Sequence, residues 1–224
     1  MKRAKVLIAD DHKIVLDGLK KLLEPEFEIV EMVEDGRALV SATLNLAPEV
    51  IVVDISMPLL NGIEAVRQIR KSLPHMKVVF LTMHPDVNYA IRAFEAGASG
   101  YVLKHAASSE LLTAIYEALK GRTYVTPMIA KELMESYRGG YFQLKESHRL
   151  TDRQREVLQL LAEGHSAKEI ARILYISPRT AEFHKYSLMS KLNLKTVSAL
   201  VQYAIRHGIA GFEGKEDSLS APIK

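Results

Sequence analysis

The sequence predicts an α/β domain built on a doubly wound, five-stranded parallel sheet, followed by a smaller all-α domain. Short apolar runs bounded by polar residues alternate with helical patterns through the first half of the chain, as is typical of buried parallel strands. Crossovers of this length place helices on both faces of the sheet. After Leu150 every pattern is helical. The chain has 224 residues, which is enough for two small domains.

Five strands are predicted in the first domain: Val6–Ala9, Phe27–Val33, Val50–Val53, Val78–Leu81 and Tyr101–Leu103. The helices between them have apolar positions three or four residues apart. Those positions are Ile14, Leu16, Leu19, Leu22 and Leu23 after the first strand, and Ile63, Val66, Ile69 and Leu73 after the third. Pro25, Pro48 and Pro74 lie at predicted element boundaries, where proline is favoured. A further helix is predicted from about Val87 to Ala96.

The second domain contains three capped helices in close succession. Thr151 and Ser166 each precede a helical pattern, and Ser177-Pro178 opens a helix that runs through Leu192. Two short helices joined by a tight turn form a helix-turn-helix, whose second member lies in the major groove of DNA.

These patterns divide the chain into four segments. We expect a first domain over residues 1–121, a linker over 122–148 with a short helix near Met128–Tyr137, and a helix-turn-helix domain over 149–212. A disordered tail is expected over 213–224.

Composition narrows the class of protein. Residues 1–124 hold 15 Lys and Arg against 16 Asp and Glu, whereas residues 149–212 hold 10 against 5, so the second domain is basic and suits contact with nucleic acid. The chain has no Cys, which excludes disulfides and thiolate metal sites. The first apolar run stops at Asp10, too early for a signal peptide, and no stretch is long enough to span a membrane. We therefore expect a cytoplasmic protein without membrane contact.

Polar residues follow four of the predicted strands: Asp10 and Asp11, Asp54, Thr82 and Lys104. The carboxyl ends of parallel strands line one crevice, so we expect these side chains to meet there. Mg²⁺ prefers oxygen ligands and would relieve the repulsion among three carboxylates. Asp54 is the predicted nucleophile and carrier of a phosphoryl group, with Lys104 and the Thr82 hydroxyl stabilising the phosphoryl oxygens.

These residues, together with Asp54-Ile55-Ser56-Met57-Pro58 and Gly62, resemble the receiver domain of two-component response regulators. The resemblance spans residues 4 to about 120 and implies the flavodoxin-like fold, Mg²⁺ and phosphotransfer from a sensor histidine kinase. It also implies that the Ser56 carbonyl binds the metal, beside Asp11 and Asp54 as direct ligands and Asp10 acting through water. The departure is His105, where the family usually has a proline in a cis bond; we expect a trans bond here.

The resemblance further places Tyr101 at the aromatic switch position. Phosphorylation is then expected to draw Thr82 toward the phosphoryl group and to let Tyr101 turn inward. Ser56 and His84, two residues past Asp54 and Thr82 respectively, lie where they could affect an attacking water.

The second domain resembles the LuxR-type helix-turn-helix of the NarL/FixJ group from residue 150 to about 208. The matching elements are Leu150-Thr151, Glu156-Val157-Leu158, Gly164, Lys168-Glu169-Ile170-Ala171, Ile176-Ser177, Thr180, His184 and Lys191-Leu192. The departures are Ala167, Ala181 and Val197. The resemblance implies that the last helix forms a dimer contact on promoter DNA, so we expect a homodimer when the chain is phosphorylated.

Winding the recognition helix at 100° per residue separates a packed side from a reading side. Glu182, Phe183 and Tyr186 fall on the reading side and are predicted to meet base edges. Lys185 points nearer the core and is expected only to snorkel. The predicted phosphate contacts are Arg179, Thr180, Lys191 and Lys195.

These residues suggest three candidate functions. The first is a phosphorylation-regulated, DNA-binding transcriptional regulator that is not an enzyme. The second is an Mg²⁺-dependent phosphatase, which typically needs a carboxylate two residues after its nucleophile; position 56 is Ser, so we reject it. The third is a DNA binder that works without phosphorylation and has a merely structural pocket.

Overall fold

The computed structural model describes residues 3–138 and 150–211. It confirms the doubly wound parallel sheet, with strand order β2-β1-β3-β4-β5-β6 over the described residues. The strands are β1 Lys5–Ala9, β2 Glu28–Val33, β3 Val50–Val53, β4 Lys77–Thr82, β5 Gly100–Leu103 and β6 Tyr124–Val125. The order reverses direction at β1 and β3, so a crevice opens above the carboxyl ends of these two strands.

Helices cover both faces of the sheet. They are α1 Lys13–Leu23, α2 Gly36–Leu46, α3 Gly62–Ser72, α4 Val87–Ala96, α5 Ala107–Leu119 and α6 Pro127–Arg138, with a 3₁₀ turn at Lys104–Ala106. Helices α1 and α5 pack on one face, and α2, α3, α4 and α6 on the other. The predicted apolar stripe of α1 is wrong at Ile14, which is 86% exposed. It lies two residues, or about 200°, before the buried Leu16 and so faces away from the sheet.

The sheet has one strand more than predicted. β6 pairs in parallel with β5 and is only two residues long, too short to show a pattern in the sequence. Helix α6 follows at once, and its Ile129 and Leu133 are buried in the core beside α4. The start of the predicted linker therefore packs on the first domain as a strand and a helix.

The second domain contains four helices among the described residues: α7 Asp152–Ala162, α8 Ala167–Leu174, α9 Pro178–Lys191 and α10 Val197–Arg206. The predicted caps are confirmed: the hydroxyls of Thr151, Ser166 and Ser177 each accept a hydrogen bond from the first turn of α7, α8 and α9. These caps fix the chain direction at each turn. The four helices share one apolar core.

Two predictions fall on residues outside the described ranges. The rest of the linker, 139–148, and the expected disordered tail, 213–224, are not described. Within residues 3–138 and 150–211, none of the helices has the length and apolar character needed to cross a membrane.

Candidate functional site

The predicted acidic crevice is assembled by the carboxyl ends of β1, β3 and β5. Asp10 follows β1, Asp54 follows β3 and Lys104 follows β5. The Lys104 Nζ atom lies 2.6 Å from Asp10 Oδ2 and 2.8 Å from Asp54 Oδ2. Asp10 and Asp54 are 1% and 4% exposed. One ammonium therefore bridges two buried carboxylates, at the position where a phosphoryl group on Asp54 would need positive charge.

Backbone contacts hold Asp54 at the end of its strand. The Asp54 amide donates to the Ala9 carbonyl, and Asp54 Oδ1 accepts from the Ile55 amide at 2.6 Å. Gly62 lies directly above, where a Cβ atom would approach the Asp54 carbonyl oxygen to 2.0 Å. Only glycine fits so close to that backbone, so α3 begins tight against Asp54.

Burial dominates the electrostatics of this crevice. It raises the pKa of Asp54 from 3.8 to about 6, although the Lys104 ammonium opposes the shift. Burial also raises the pKa of Asp11. For Lys104, burial opposes the charged form, but the carboxylates of Asp54 and Asp10 outweigh it and raise the pKa. At neutral pH Asp54 is thus mainly ionised and poorly solvated, as suits a nucleophile.

Asp11 and His12 complete one side of the crevice. Asp10, Asp11 and His12 each offer a ligand atom, and these atoms lie within 4.8 Å of one another. His12 Nδ1 is 2.8 Å from Asp11 Oδ1. Sequence reasoning missed His12, for which adjacency to the acidic pair was the available signal. Carboxylate oxygens on adjoining strand ends fit Mg²⁺, whereas an imidazole does not favour it.

Thr82, Ser56 and His84 line the opposite side of the crevice. Thr82 is fully buried, and its Oγ1 accepts a hydrogen bond from the His84 amide at 3.2 Å. Ser56 Oγ lies 2.7 Å from His84 Nε2, and the His84 ring stacks on Tyr89 at 4.1 Å between centroids. Burial lowers the pKa of His84. The two positions expected to affect attacking water therefore contact each other as a neutral pair.

The side chain of Tyr101 is already buried in this structure, which differs from the expectation. It was expected to turn inward after phosphorylation, but the structure already places it at 0% exposure. Its hydroxyl donates to the His84 carbonyl at 2.7 Å, and its carbonyl accepts from the Thr126 amide at 2.9 Å. Beside it, β6 pairs Val125 with Tyr101 and extends the sheet past β5. The Lys104–His105 bond is trans, as expected.

The predicted reading side of α9 faces outward. Phe183 and Tyr186 are 69% and 61% exposed, while Ala181 and Leu188 are buried in the domain core. Glu182 is partly exposed, and its carboxylate pairs with Lys185 at 2.6 Å. The predicted phosphate contacts lie at both ends of this helix or just beyond it: Arg179 and Lys195 are exposed, Thr180 bonds the Ser177 hydroxyl at 2.8 Å, and Lys191 Nζ lies 3.4 Å from Gln154 Oε1.

The two domains are docked through a buried amide on α7. Gln159 is 1% exposed. Its Oε1 accepts from the Asn61 amide at 2.8 Å, and its Nε2 donates to the Met57 carbonyl at 3.0 Å. Asn61 and Met57 belong to the loop that connects Asp54 to α3. The second domain therefore holds the loop that carries the predicted nucleophile.

Charged contacts surround this amide. Arg155 on α7 lies 3.2 Å from the buried Glu64 of α3, and Glu156 contacts both Arg37 at 3.2 Å and Gln68 at 2.7 Å. These partners lie 88 to 119 residues apart in the chain, so no local sequence pattern indicates this interface.

The turn after α10 is the second contact with the first domain. Asn61 Nδ2 donates to the Ile209 carbonyl at 2.9 Å, and Arg92 donates to the Gly208 carbonyl at 3.0 Å. A Cβ atom on Gly211 would lie 3.5 Å from the Ser56 side chain. This turn thus reaches the rim of the acidic crevice, while the reading side of α9 stays exposed.

Comparisons with known proteins agree with this architecture. Residues 6–116 match the family described as the response regulator receiver domain, and residues 148–204 match bacterial regulatory proteins of the luxR family. The chain is 34% identical over 223 residues to the transcriptional regulatory protein DegU of Brevibacillus brevis, across 92% of this chain and 94% of that protein.

Similarity of the same extent links it to a second relative and to a solved complex. It is 37% identical over 217 residues to the transcriptional regulatory protein MctR of Rhizobium johnstonii, across 95% of this chain and 98% of that one. The structure of RcsB from Salmonella enterica serovar Typhimurium, bound to a promoter in the presence of the phosphomimetic BeF₃⁻, superposes with a TM-score of 0.60 at 32% identity, covering 92% of this chain and 100% of that chain.

Proposed function

Since the chain belongs to the response regulators of the NarL/FixJ group, in which a receiver domain precedes a LuxR-type DNA-binding domain, we propose that it regulates transcription and that phosphorylation of Asp54 controls its binding to promoter DNA. The observation that carries the proposal is the Lys104 ammonium, which bridges the buried Asp54 and Asp10 carboxylates at the carboxyl edge of the sheet.

Phosphotransfer would proceed by attack of an Asp54 carboxylate oxygen on the phosphorus of a phosphohistidine in a sensor histidine kinase. The phosphorus–nitrogen bond breaks, an aspartyl phosphate forms, and the histidine nitrogen takes up a proton as it leaves. Lys104 would neutralise charge on the phosphoryl oxygens, and the Thr82 hydroxyl would donate a hydrogen bond to one of them. Ionisation of Asp54 above its pKa of about 6 supplies the nucleophile at neutral pH.

Mg²⁺ fits the donor set of this crevice. Asp10, Asp11 and Asp54 offer carboxylate oxygens, and the Ser56 carbonyl is the fourth proposed ligand; hard oxygen donors are what Mg²⁺ requires. Burial raises the pKa of both Asp11 and Asp54, and for Asp54 it does so although the Lys104 ammonium lies 2.8 Å away, so the positive charge of the side chains does not fully offset the burial. When bound, Mg²⁺ would supply that charge to the carboxylates and the phosphoryl oxygens.

The docked loop provides a route from Asp54 to the DNA-binding domain. A phosphoryl group on Asp54 adds charge and acceptor oxygens beside the loop that Gln159 holds through Asn61 and Met57. We infer that phosphorylation displaces this loop and weakens the docking. Because Phe183 and Tyr186 are exposed in the docked state, release would act by freeing the domain to pair with a second copy on DNA, rather than by uncovering α9.

On DNA, the proposed base contacts remain Glu182, Phe183 and Tyr186, with Arg179, Thr180, Lys191 and Lys195 on phosphates. A related solved structure contains two RcsB dimers bound to two parallel DNAs, which supports the proposal that this chain binds a promoter as a homodimer.

A second candidate is a DNA binder that needs no phosphorylation. Two observations favour it: Tyr101 is already fully buried, and the reading side of α9 is already exposed. Both are features expected of an active state.

Labelling by acetyl phosphate distinguishes the phosphorylation-regulated protein from the phosphorylation-independent DNA binder, because only the first requires phosphorylation of Asp54. With Mg²⁺, the wild-type chain should gain one phosphoryl group by intact mass, and Asp54→Asn should gain none. Asp17→Asn, which changes an exposed carboxylate of α1, is the matched control and should label like wild type. Undiminished labelling of Asp54→Asn would disprove the acceptor. An unlabelled wild-type chain that still binds promoter DNA would favour the second candidate.

A further inference from the structure

Lys185 occupies an unexpected position on the recognition helix. It lies four residues after the buried Ala181 and three before the buried Leu188, so its backbone belongs to the packed side of α9. Its ammonium does not stay there. The Nζ atom lies 2.6 Å from Glu182 Oε2 and 4.8 Å from the centroid of the Tyr186 ring. The charge of Lys185 is therefore delivered to the reading side.

Glu182 needs this charge if it is to enter a DNA groove. A lone carboxylate approaching the phosphate backbone is repelled by it. The adjacent ammonium neutralises that charge and orients the carboxylate. A carboxylate accepts about four hydrogen bonds, so Glu182 retains acceptor capacity while Oε2 contacts Lys185. Tyr186 holds the ammonium from the other side through its ring face.

Paired in this way, the two side chains present one acceptor and one donor less than 3 Å apart. In the major groove a G·C pair offers a matching set: the cytosine N4 amino group donates, and the neighbouring guanine O6 and N7 atoms accept. An A·T pair places its donor between two acceptors and adds the thymine methyl group, which fits a single adjacent ammonium less well.

We propose that Glu182 and Lys185 act as one unit that reads a single G·C base pair in each half-site, with Glu182 on cytosine N4 and Lys185 on guanine O6 or N7. This inference rests on the proposed function, since it requires that α9 enters the major groove. It adds Lys185 to the residues that determine base specificity, although helical winding alone places Lys185 on the packed side of α9.

The test is selection from a random duplex library by the full-length chain, activated with beryllofluoride and Mg²⁺. The variants are Glu182→Gln and Lys185→Met. Lys131→Met is the matched control, because Lys131 forms an exposed pair with Glu135 on α6 at 3.9 Å. Circular dichroism verifies that each variant is folded. Affinities for the selected duplex, and for the same duplex with its G·C pair changed to A·T, are then measured by fluorescence anisotropy.

We expect wild type and the control to favour the G·C duplex by about 5- to 150-fold. Lys185→Met should lose that preference at this one position. Glu182→Gln should shift the same position toward A·T, because Gln pairs with adenine N6 and N7.

Four results would overturn the inference. The first is an unchanged motif in both variants. The second is a change at two different positions. The third is a wild-type preference for A·T at the position affected. The fourth is a uniform loss of affinity in Lys185→Met with a salt slope lower by about 1, which would make Lys185 a phosphate contact. Failure of the wild-type chain to enrich any motif would instead contradict the proposed function itself.

Discussion

Replacing Asp54 with asparagine should stabilise the receiver domain, although it removes the residue on which the proposed chemistry depends. The Asp54 carboxyl is buried, and its pKa is about 6 in the folded protein against 3.8 when solvated. Keeping it ionised therefore costs the folded state about 3 kcal/mol at pH 7.5 and roughly half of that at pH 5. Asparagine carries no charge and avoids this cost.

The sign follows from proton binding. Because the folded pKa is raised, the folded state binds more protons than the unfolded state between about pH 4 and 6, so wild-type stability falls as pH rises through this window. Asp54→Asn lacks this dependence. Its advantage should therefore be absent well below pH 4, grow through the window, and reach a plateau above pH 7.

Urea unfolding in EDTA, followed by far-ultraviolet circular dichroism at pH 5 and 7.5, measures this difference. Asp17→Asn, an exposed carboxylate, should leave the midpoint unchanged at both pH values. Added Mg²⁺ should stabilise wild type more than Asp54→Asn and so reduce the difference in unfolding free energy between the two proteins. An Asp54→Asn variant that is no more stable than wild type at pH 7.5 in EDTA would refute the claim that burial of the ionised Asp54 carboxylate destabilises the folded state.

Four further substitutions test other parts of the proposed function. Gln159→Ala removes the buried amide between the domains and should weaken their docking by about 1–3 kcal/mol. The DNA affinity of the unphosphorylated chain should then rise; an unchanged affinity would contradict the proposal that docking restrains DNA binding. Lys104→Met should slow acetyl phosphate labelling of Asp54 by about 100-fold or more, measured by intact mass over time; near-normal labelling would exclude Lys104. Lys191→Ala should weaken binding to all DNA sequences, whereas Phe183→Ala should relax base preference; equal losses on every duplex would contradict this division.

The strand ends could be predicted from the sequence because two local signals coincide. Each apolar run ends at a polar residue, and parallel topology brings those ends to one edge. Asp10, Asp54 and Lys104 meet there for this reason. The helix caps Thr151 and Ser177 were equally predictable, since capping depends on residues within one turn.

The remaining features depend on contacts between distant residues. Gln159 contacts Asn61, which is 98 residues away in the chain. A glutamine in a helical pattern does not indicate which distant residue it will contact. The strand β6, which pairs with β5 at Tyr101, is two residues long and is held by backbone pairing, so it has no periodicity to detect. Helical winding places the Cβ of Lys185 on the core side of α9, whereas its long side chain carries the ammonium to Glu182 and Tyr186 on the reading side.

The dependence of DNA binding on Asp54 tests the central claim most directly. The full-length chain and Asp54→Asn are each titrated onto a duplex selected by the wild-type protein, with and without acetyl phosphate and Mg²⁺. We predict that acetyl phosphate tightens binding by wild type and leaves Asp54→Asn unchanged. An equal response in both proteins, or no response in a wild-type chain shown by mass to be phosphorylated, would contradict it.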